Sequence, residues 1–322
     1  MSVAVKIGRA TVRTANGAIN LIVLTAILLL LAFSCYALWD SKQVYSQADA
    51  KQYAKYKPTT EAGKLSFQEL QSMNKDVCAW LEVYGTHIDY PVVQGTDNFK
   101  YTNTNAEGRY SLSGALFLDY NNKRDFSDFA SIIYGHHMEE EAMFGDIGLF
   151  VHKSYFDERT YGSLYYGDKK YGLEFFAFMH ADAYDSTVYR TQFGDDAQDR
   201  QAYLDLLLSR AVNVRSTVKV TSADRLVLLS TCSGSSTNGR DILVGRITDA
   251  TYSDPFAGEL SKARNPVIDR LINFWASAPV WVKILLGFLP LLLILIVIVI
   301  AVMRKKKISA RQKDDAVMIG RE

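Results

Sequence analysis

The segment Leu226–Thr248, LVLLSTCSGSSTNGRDILVGRIT, holds one of only three cysteines in a chain of 322 residues. Cys232 stands where an apolar run gives way to a Ser, Gly and Asn loop, and Arg240 follows shortly after. A thiol attacks a carbonyl only as thiolate, so a catalytic cysteine needs a base or a cation to lower a pKa that starts at about 8.5. Five histidines are available: His87, His136, His137, His152 and His180. His136 and His137 follow Ile132-Ile133-Tyr134-Gly135, a buried-strand pattern ending in a glycine turn, so the pair is delivered to a strand end as Cys232 is. Side chains alternate along a strand, so only one of the two can face inward; His136 is the candidate base and His137 its competitor. Acyl transfer also needs donors aimed at the oxygen that becomes negative, and a guanidinium supplies charge and forked hydrogen bonds. If Ser233–Gly239 is a loop and Ile242–Thr248 the next antiparallel strand, Arg240 returns to the end that carries Cys232. Arg246, in mid-strand, is the weaker candidate.

The elements that must position these groups follow from the same kind of reading. After Val77 come short runs rich in β-branched and aromatic residues: Ala79–Val83, His87–Val93, Ala115–Asp119, Ser131–Tyr134, Ser163–Tyr166, Tyr171–Met179, Thr217–Val220, Leu226–Thr231 and Ile242–Thr248. Separated by Gly, Asn and Asp turns, they predict a barrel or sandwich. Helical patterns interrupt them at Glu139–Phe150 and at Asp196–Val212, where Tyr203, Leu204, Leu207, Leu208 and Ala211 share one face. Upstream, Ser41–Tyr56 is polar and helix-permitting, and Ser66-Phe67-Gln68-Glu69 has the capping-box pattern of a helix running to about Asn74.

A net charge of +1 and 48% apolar content exclude a disordered chain and a nucleic-acid-binding surface. Two uncharged segments, Leu21–Leu38 and Ile284–Met303, approach the length of helix that crosses about 30 Å of hydrocarbon. Lys6, Arg9 and Arg13 precede the first; Arg304, Lys305, Lys306, Lys307, Arg311 and Lys313 follow the second. Basic residues stay in the cytoplasm, so both termini are predicted inside and the middle outside, with Trp39 and Trp281 at the outer membrane interface. A cleaved signal peptide and lipid attachment at Cys35 are the rival readings of the first segment. The predicted organisation is a cytoplasmic N-terminus (1–20), a span (21–38), a helical region (39–76), a catalytic barrel (77–250), a juxtamembrane linker (251–283), a second span (284–303) and a cytoplasmic tail (304–322). Only Cys78 and Cys232 fall in the exported part, which is no disulfide scaffold.

Tyr134-Gly135-His136-His137-Met138, then Met143-Phe144-Gly145-Asp146, then Leu229-Ser230-Thr231-Cys232 and Arg240, resemble the sortases, cysteine transpeptidases of Gram-positive cell surfaces. Trp80-Leu81-Glu82-Val83, Thr86 through Gln94 (THIDYPVVQ), Asp97-Asn98 and Tyr101 are similar to the class B branch, and the likeness covers about Val77 to Thr248. Leu228 departs from the family signature, which usually has Thr four residues before the cysteine. The resemblance implies a mainly β fold: a sortase-like β-barrel with N-terminal helices and an inserted helix, here flanked by two transmembrane helices. It also implies that Cys232 is the nucleophile, His136 the acid and base, and Arg240 the oxyanion partner. Cys232 would cleave a C-terminal sorting motif of a surface protein or pilin, forming a thioacyl enzyme. An amine from a peptidoglycan cross-bridge or a pilin lysine would resolve it. No metal or organic cofactor is implied. Many pilus-polymerising members carry a C-terminal span that wall-anchoring class B members generally lack, which favours pilin assembly.

The same residues admit other functions. A surface cysteine protease would release the acyl group to water, and a membrane scaffold would keep the site but leave it silent. A papain-like arrangement is disfavoured, because there the cysteine opens a helix and precedes its histidine. Cys78 reads as core, and His87, His152 and His180 read as surface or structural groups. The run Glu139-Glu140-Glu141 reads as a solvated helix start or a recruiter of basic substrate, and the segments Gln192–Asp199 and Ser154–Gly162 as loops that would set specificity.

Overall fold

The computed structural model describes residues 3–58, 61–138, 142–232 and 238–257, with the side chain of Cys232 outside that description. The predicted span Ile284–Met303, Trp281, the tail 304–322, most of the linker 251–283 and the acidic run 139–141 lie outside the described residues.

Among the described residues nine strands form one sheet: β1 (Val77–Val83), β2 (Asp89–Val93), β3 (Leu116–Leu118), β4 (Ala130–Tyr134), β5 (Tyr161–Tyr166), β6 (Lys169–Asp182), β7 (Ala211–Val214), β8 (Arg225–Cys232) and β9 (Gly239–Thr248). Their order is β5-β1-β2-β3-β4-β8-β9-β6-β7, and a further β5–β6 pairing closes eight of them into a barrel. The 14-residue β6 makes closure possible: its first half pairs with β5 and its second half with β7, while β9 runs along its other edge. A register shift between Phe175 and Ala177 bends it where it changes partner.

β8 shows why the apolar runs are continuous rather than alternating. Val227 and Leu229 enter the barrel core with Ile133, Phe175, Phe178 and Leu243. Leu226 and Leu228 face outward into a second core, built with Ile132, Phe176, Ile242 and Val244 under Tyr203, Leu204 and Leu207. Those last three come from the helix Ala197–Arg210, whose N-cap Asp196 accepts from the Gln198 amide. Both faces of the strand are covered, as in buried sheets. Burial of the two helix leucines contributes about 1.5–3 kcal/mol each.

The first helix, α1 (Val3–Ala48), carries the predicted N-terminal span, and a 3-10 turn, Ala50–Tyr56, follows it. Its apolar residues Leu21, Ile22, Phe33 and Leu38 are exposed on all sides, as a membrane-crossing helix requires. Among the described residues it is the one helix long and apolar enough to cross a membrane. Helix α2 (Glu61–Met73) then packs Phe67 edge-on against Trp80 and Tyr165, covering β1 and β5.

Three local expectations are corrected. Helix α2 begins ahead of the Ser66 capping box, so Ser66 is interior to it; Lys64 and Leu65 are good helix formers and continue the pattern upstream. Thr217–Val220 is a turn, not a strand: the strand is Ala211–Val214, cut from the end of the expected helix because the Asn213 amide donates to the carbonyls of Phe150 and Val151. Glu139–Phe150 is not one helix: a 3-10 turn spans Gly145–Val151, and a short helix, Lys153–Glu158, follows. Met143 has a φ of 53° and bridges to His137, which ends helical geometry there.

Candidate active site

β4 and β8 are parallel, so both run out at the same rim of the barrel. Tyr134 lies opposite Ser230, and the Gly135 amide donates to the Ser230 carbonyl at 3.1 Å. β9 starts at that rim antiparallel to β8, with Cys232 directly opposite Arg240. One parallel and one antiparallel pairing thus bring His136, Cys232 and Arg240 to a single rim.

His136 is half-buried and His137 exposed. The Nε2 of His136 lies 2.7 Å from the Thr102 carbonyl. A carbonyl can only accept, so Nε2 carries a proton and Nδ1 is the nitrogen left for proton transfer. The loop beyond is fixed by the Phe144 amide donating to the His136 carbonyl at 3.0 Å. Two glycines permit this close packing. A Cβ on Gly135 would run into Leu116 and the Phe144 ring, and one on Gly145 into the Met138 carbonyl. An open cavity of about 440 Å³ lies beside the histidine, lined by Tyr45, Leu112, His136, His137 and Met138.

Arg240 is half-buried, and its Nη1 donates to the Gly239 carbonyl at 2.9 Å. Arg246 instead pairs with Glu174 on β6, which occupies it structurally. On the outer face of β4 and β8, the Tyr189 and Ser230 hydroxyls are 2.8 Å apart, and Tyr189 stacks on Tyr134. Tyr134 donates to Asp119, as does the Asn98 amide. Burial, reinforced by Asp119, pushes the Tyr134 hydroxyl well above the usual phenol range.

Of the other two thiols, Cys35 is exposed on α1, and the remaining histidines lie away from the rim motif in the sequence. Cys78 is buried in β1, and desolvation pushes its thiol up to about 12. His87 is held at 3.1 Å from Asp146 and His180 at 2.7 Å from Asp241, while His152 is exposed. Thr102, Tyr189 and Tyr45 were not singled out by sequence reasoning. Thr102 acts through a main-chain carbonyl that no side-chain pattern reveals, Tyr45 lies in a segment read as polar helix, and Tyr189 falls between the expected strand Tyr171–Met179 and the helix Asp196–Val212, where no motif marks it.

No family model matches the chain. It is 32% identical to sortase B of Listeria monocytogenes over 212 residues, 65% of this chain and 82% of that one. It is 33% identical to sortase B of Staphylococcus aureus over 186 residues, 56% of this chain and 74% of that one. Among solved structures, sortase B from the type II pilus of Streptococcus pneumoniae is 44% identical, covers 57% of this chain and 99% of its own, and has a TM-score of 0.50. A class B sortase of Streptococcus pyogenes involved in pilus biogenesis is 40% identical over 56% of this chain and 97% of its own, with a TM-score of 0.51. A Staphylococcus aureus sortase B–substrate complex is 27% identical over 67% of this chain and 99% of its own, with a TM-score of 0.56. The chain therefore belongs to the sortase B family of cysteine transpeptidases, and its closed barrel is the sortase fold.

Proposed function

We propose that this chain is a membrane-anchored sortase that cleaves a C-terminal sorting motif through a thioacyl enzyme on Cys232 and joins the acyl fragment to an amine. The observation that carries the reading is the strand register, which sets Cys232 opposite Arg240 and ends the adjoining parallel strand two residues short of His136. The Cys232 thiolate attacks the scissile carbonyl, and Arg240 stabilises the oxyanion. His136 gives its proton to the departing amine, leaving the thioacyl enzyme. An incoming amine then attacks the thioester carbonyl: a C–N bond forms, the C–S bond breaks, and His136 takes the amine proton.

Helix α1 supports an anchored enzyme, and the lysines and arginines flanking the two apolar segments favour an extracellular catalytic domain with both ends inside. Pilin assembly is the preferred role over wall anchoring. The two pilus sortases are more similar in sequence than the Staphylococcus aureus enzyme, and the Ile284–Met303 segment points the same way.

Intact-mass spectrometry of the full chain in micelles, incubated with sorting-motif peptides with and without an amine, tests the reading. A thioacyl adduct that the amine converts to an amide is expected, lost in Cys232→Ala and reduced about 100-fold or more in Arg240→Lys and His136→Ala. An adduct that yields only the free acid, with or without amine, would favour the protease reading, and absence of any adduct the scaffold reading.

A further inference from the structure

We propose that the cavity between helix α1 and His136 is where the acceptor amine enters, with Tyr45 and Leu112 as its specificity-determining walls. The inference rests on the transpeptidase reading above and extends it to the second substrate.

Microscopic reversibility gives the first step. The histidine that protonates the leaving amine must deprotonate the incoming one, so both amines occupy the same side of the acyl carbonyl and touch the same ring. Ser230, on the same face of β8 as Cys232, is bonded to Tyr189, and the acyl part of the sorting motif is assigned to that side of the rim. None of the residues lining the cavity belongs to β8 or to the Tyr189 loop: besides His136 they are Tyr45, Leu112, His137 and Met138. A chamber that has the base in its wall, and lies apart from the acyl face, is where an amine stands.

Size and chemistry agree. A volume of about 440 Å³ falls in the range of small-ligand sites. Among the described residues the lining is a phenol, an aliphatic side chain, a thioether and two imidazoles, a surface that suits the apolar stem of an amine as well as its nitrogen. Tyr45 offers a ring face to the amine, and Leu112, more than half exposed, offers apolar surface to its stem.

Tyr45 is not incidentally placed. The Ala48 carbonyl accepts from the Tyr90 hydroxyl at 2.7 Å, and the Ser111 hydroxyl lies 3.3 Å from Gln47 Oε1. The last turn of the same helix that carries the apolar span is thereby clamped to the segment that holds Leu112. Thr102, which fixes His136, precedes that segment by a short loop.

The test separates the two half-reactions. The full chain in micelles is acylated with a sorting-motif peptide, and the thioacyl enzyme is partitioned between water and either triglycine or a peptide bearing one lysine ε-amine. Tyr45→Ala and Leu112→Ala are compared with Tyr45→Phe. A fall in the amine-to-water ratio of about 5- to 10-fold is expected for each alanine variant, with Tyr45→Phe retaining most of it. The probe whose ratio falls more identifies the acceptor as a main-chain or a lysine amine. Unchanged ratios in both alanine variants would overturn the assignment, as would a loss confined to acylation. Leu112 is exposed, so its truncation leaves folding intact and keeps the test decisive if Tyr45→Ala misfolds. If wild-type enzyme forms no thioacyl species, the reading of the reaction itself fails first, and visibly so.

Discussion

Gly135→Ala is the sharpest probe of how the fold presents His136. The glycine follows β4, and its amide is tied to the Ser230 carbonyl at 3.1 Å. Its φ is not in the left-handed region, so alanine suits the backbone and by itself stabilises by about 0.4–1 kcal/mol through the unfolded chain. The added methyl, however, meets the Leu116 side chain and stands 2.7 Å from Phe144 Cδ2, and both residues are fully buried. Neither can withdraw without moving a strand or the loop beyond His136, and overpacking of this kind costs about 1–3 kcal/mol. The net expectation is a destabilisation of about 1–2 kcal/mol, or about 3–6 °C in Tm for a domain of this size. Because the relaxation carries His136 with it, acylation should also slow by tenfold or more, about 1.4 kcal/mol in the barrier. Thermal unfolding and single-turnover acylation by mass spectrometry measure the two effects. A variant with wild-type Tm and acylation rate would refute the reasoning. A lower Tm with an unchanged rate would show that His136 is positioned independently of β4.

The remaining expectations concern the thiols and one tyrosine. In a Cys35→Ser background at pH 8, iodoacetamide should label Cys232 and spare Cys78, whose thiol burial pushes up to about 12; equal labelling would contradict that burial. Cys78 stays neutral in the fold while the unfolded thiol ionises near 9.0, so the native state holds more protons between 9.0 and about 12 and stability falls as pH rises through that window. The slope is at most about 1.4 kcal/mol per pH unit, and Cys78→Ala should flatten it in urea titrations at pH 8 and 10. Tyr90→Phe removes the hydroxyl that donates to the Ala48 carbonyl and accepts from the Met143 amide; a loss of about 1–3 kcal/mol is expected by thermal unfolding, with faster proteolysis after α1. A wild-type Tm and digestion pattern would show that neither bond holds that junction.

Much of the site was legible because its signals are local. The LVLL run marked β8 since both of its faces are buried, and the Ser-Gly-Asn loop before Arg240 announced the hairpin that returns β9 to Cys232. What could not be read depended on partners distant in sequence. Ala211–Val214 continues a helical pattern, yet becomes a strand because Asn213 binds two carbonyls of the Gly145–Val151 turn and its neighbours pair with β6. The helical periodicity of Glu139–Phe150 was overruled where Met143 takes a positive φ and its amide is claimed by Tyr90. The hydrogen bond that settles the His136 tautomer ends on a main-chain carbonyl, which has no side-chain signature at all.

The Tyr90 hydroxyl joins two parts of the molecule that the sequence presents as unrelated. It donates to the last carbonyl of α1 and accepts from the Met143 amide, in the segment whose next amide, that of Phe144, donates to the His136 carbonyl. Burial raises its pKa, so it remains a protonated, two-way bridge across the physiological range. The helix that carries the N-terminal apolar segment and the loop that follows His136 are therefore held by one buried group, with Gly135 and Gly145 allowing the close approach.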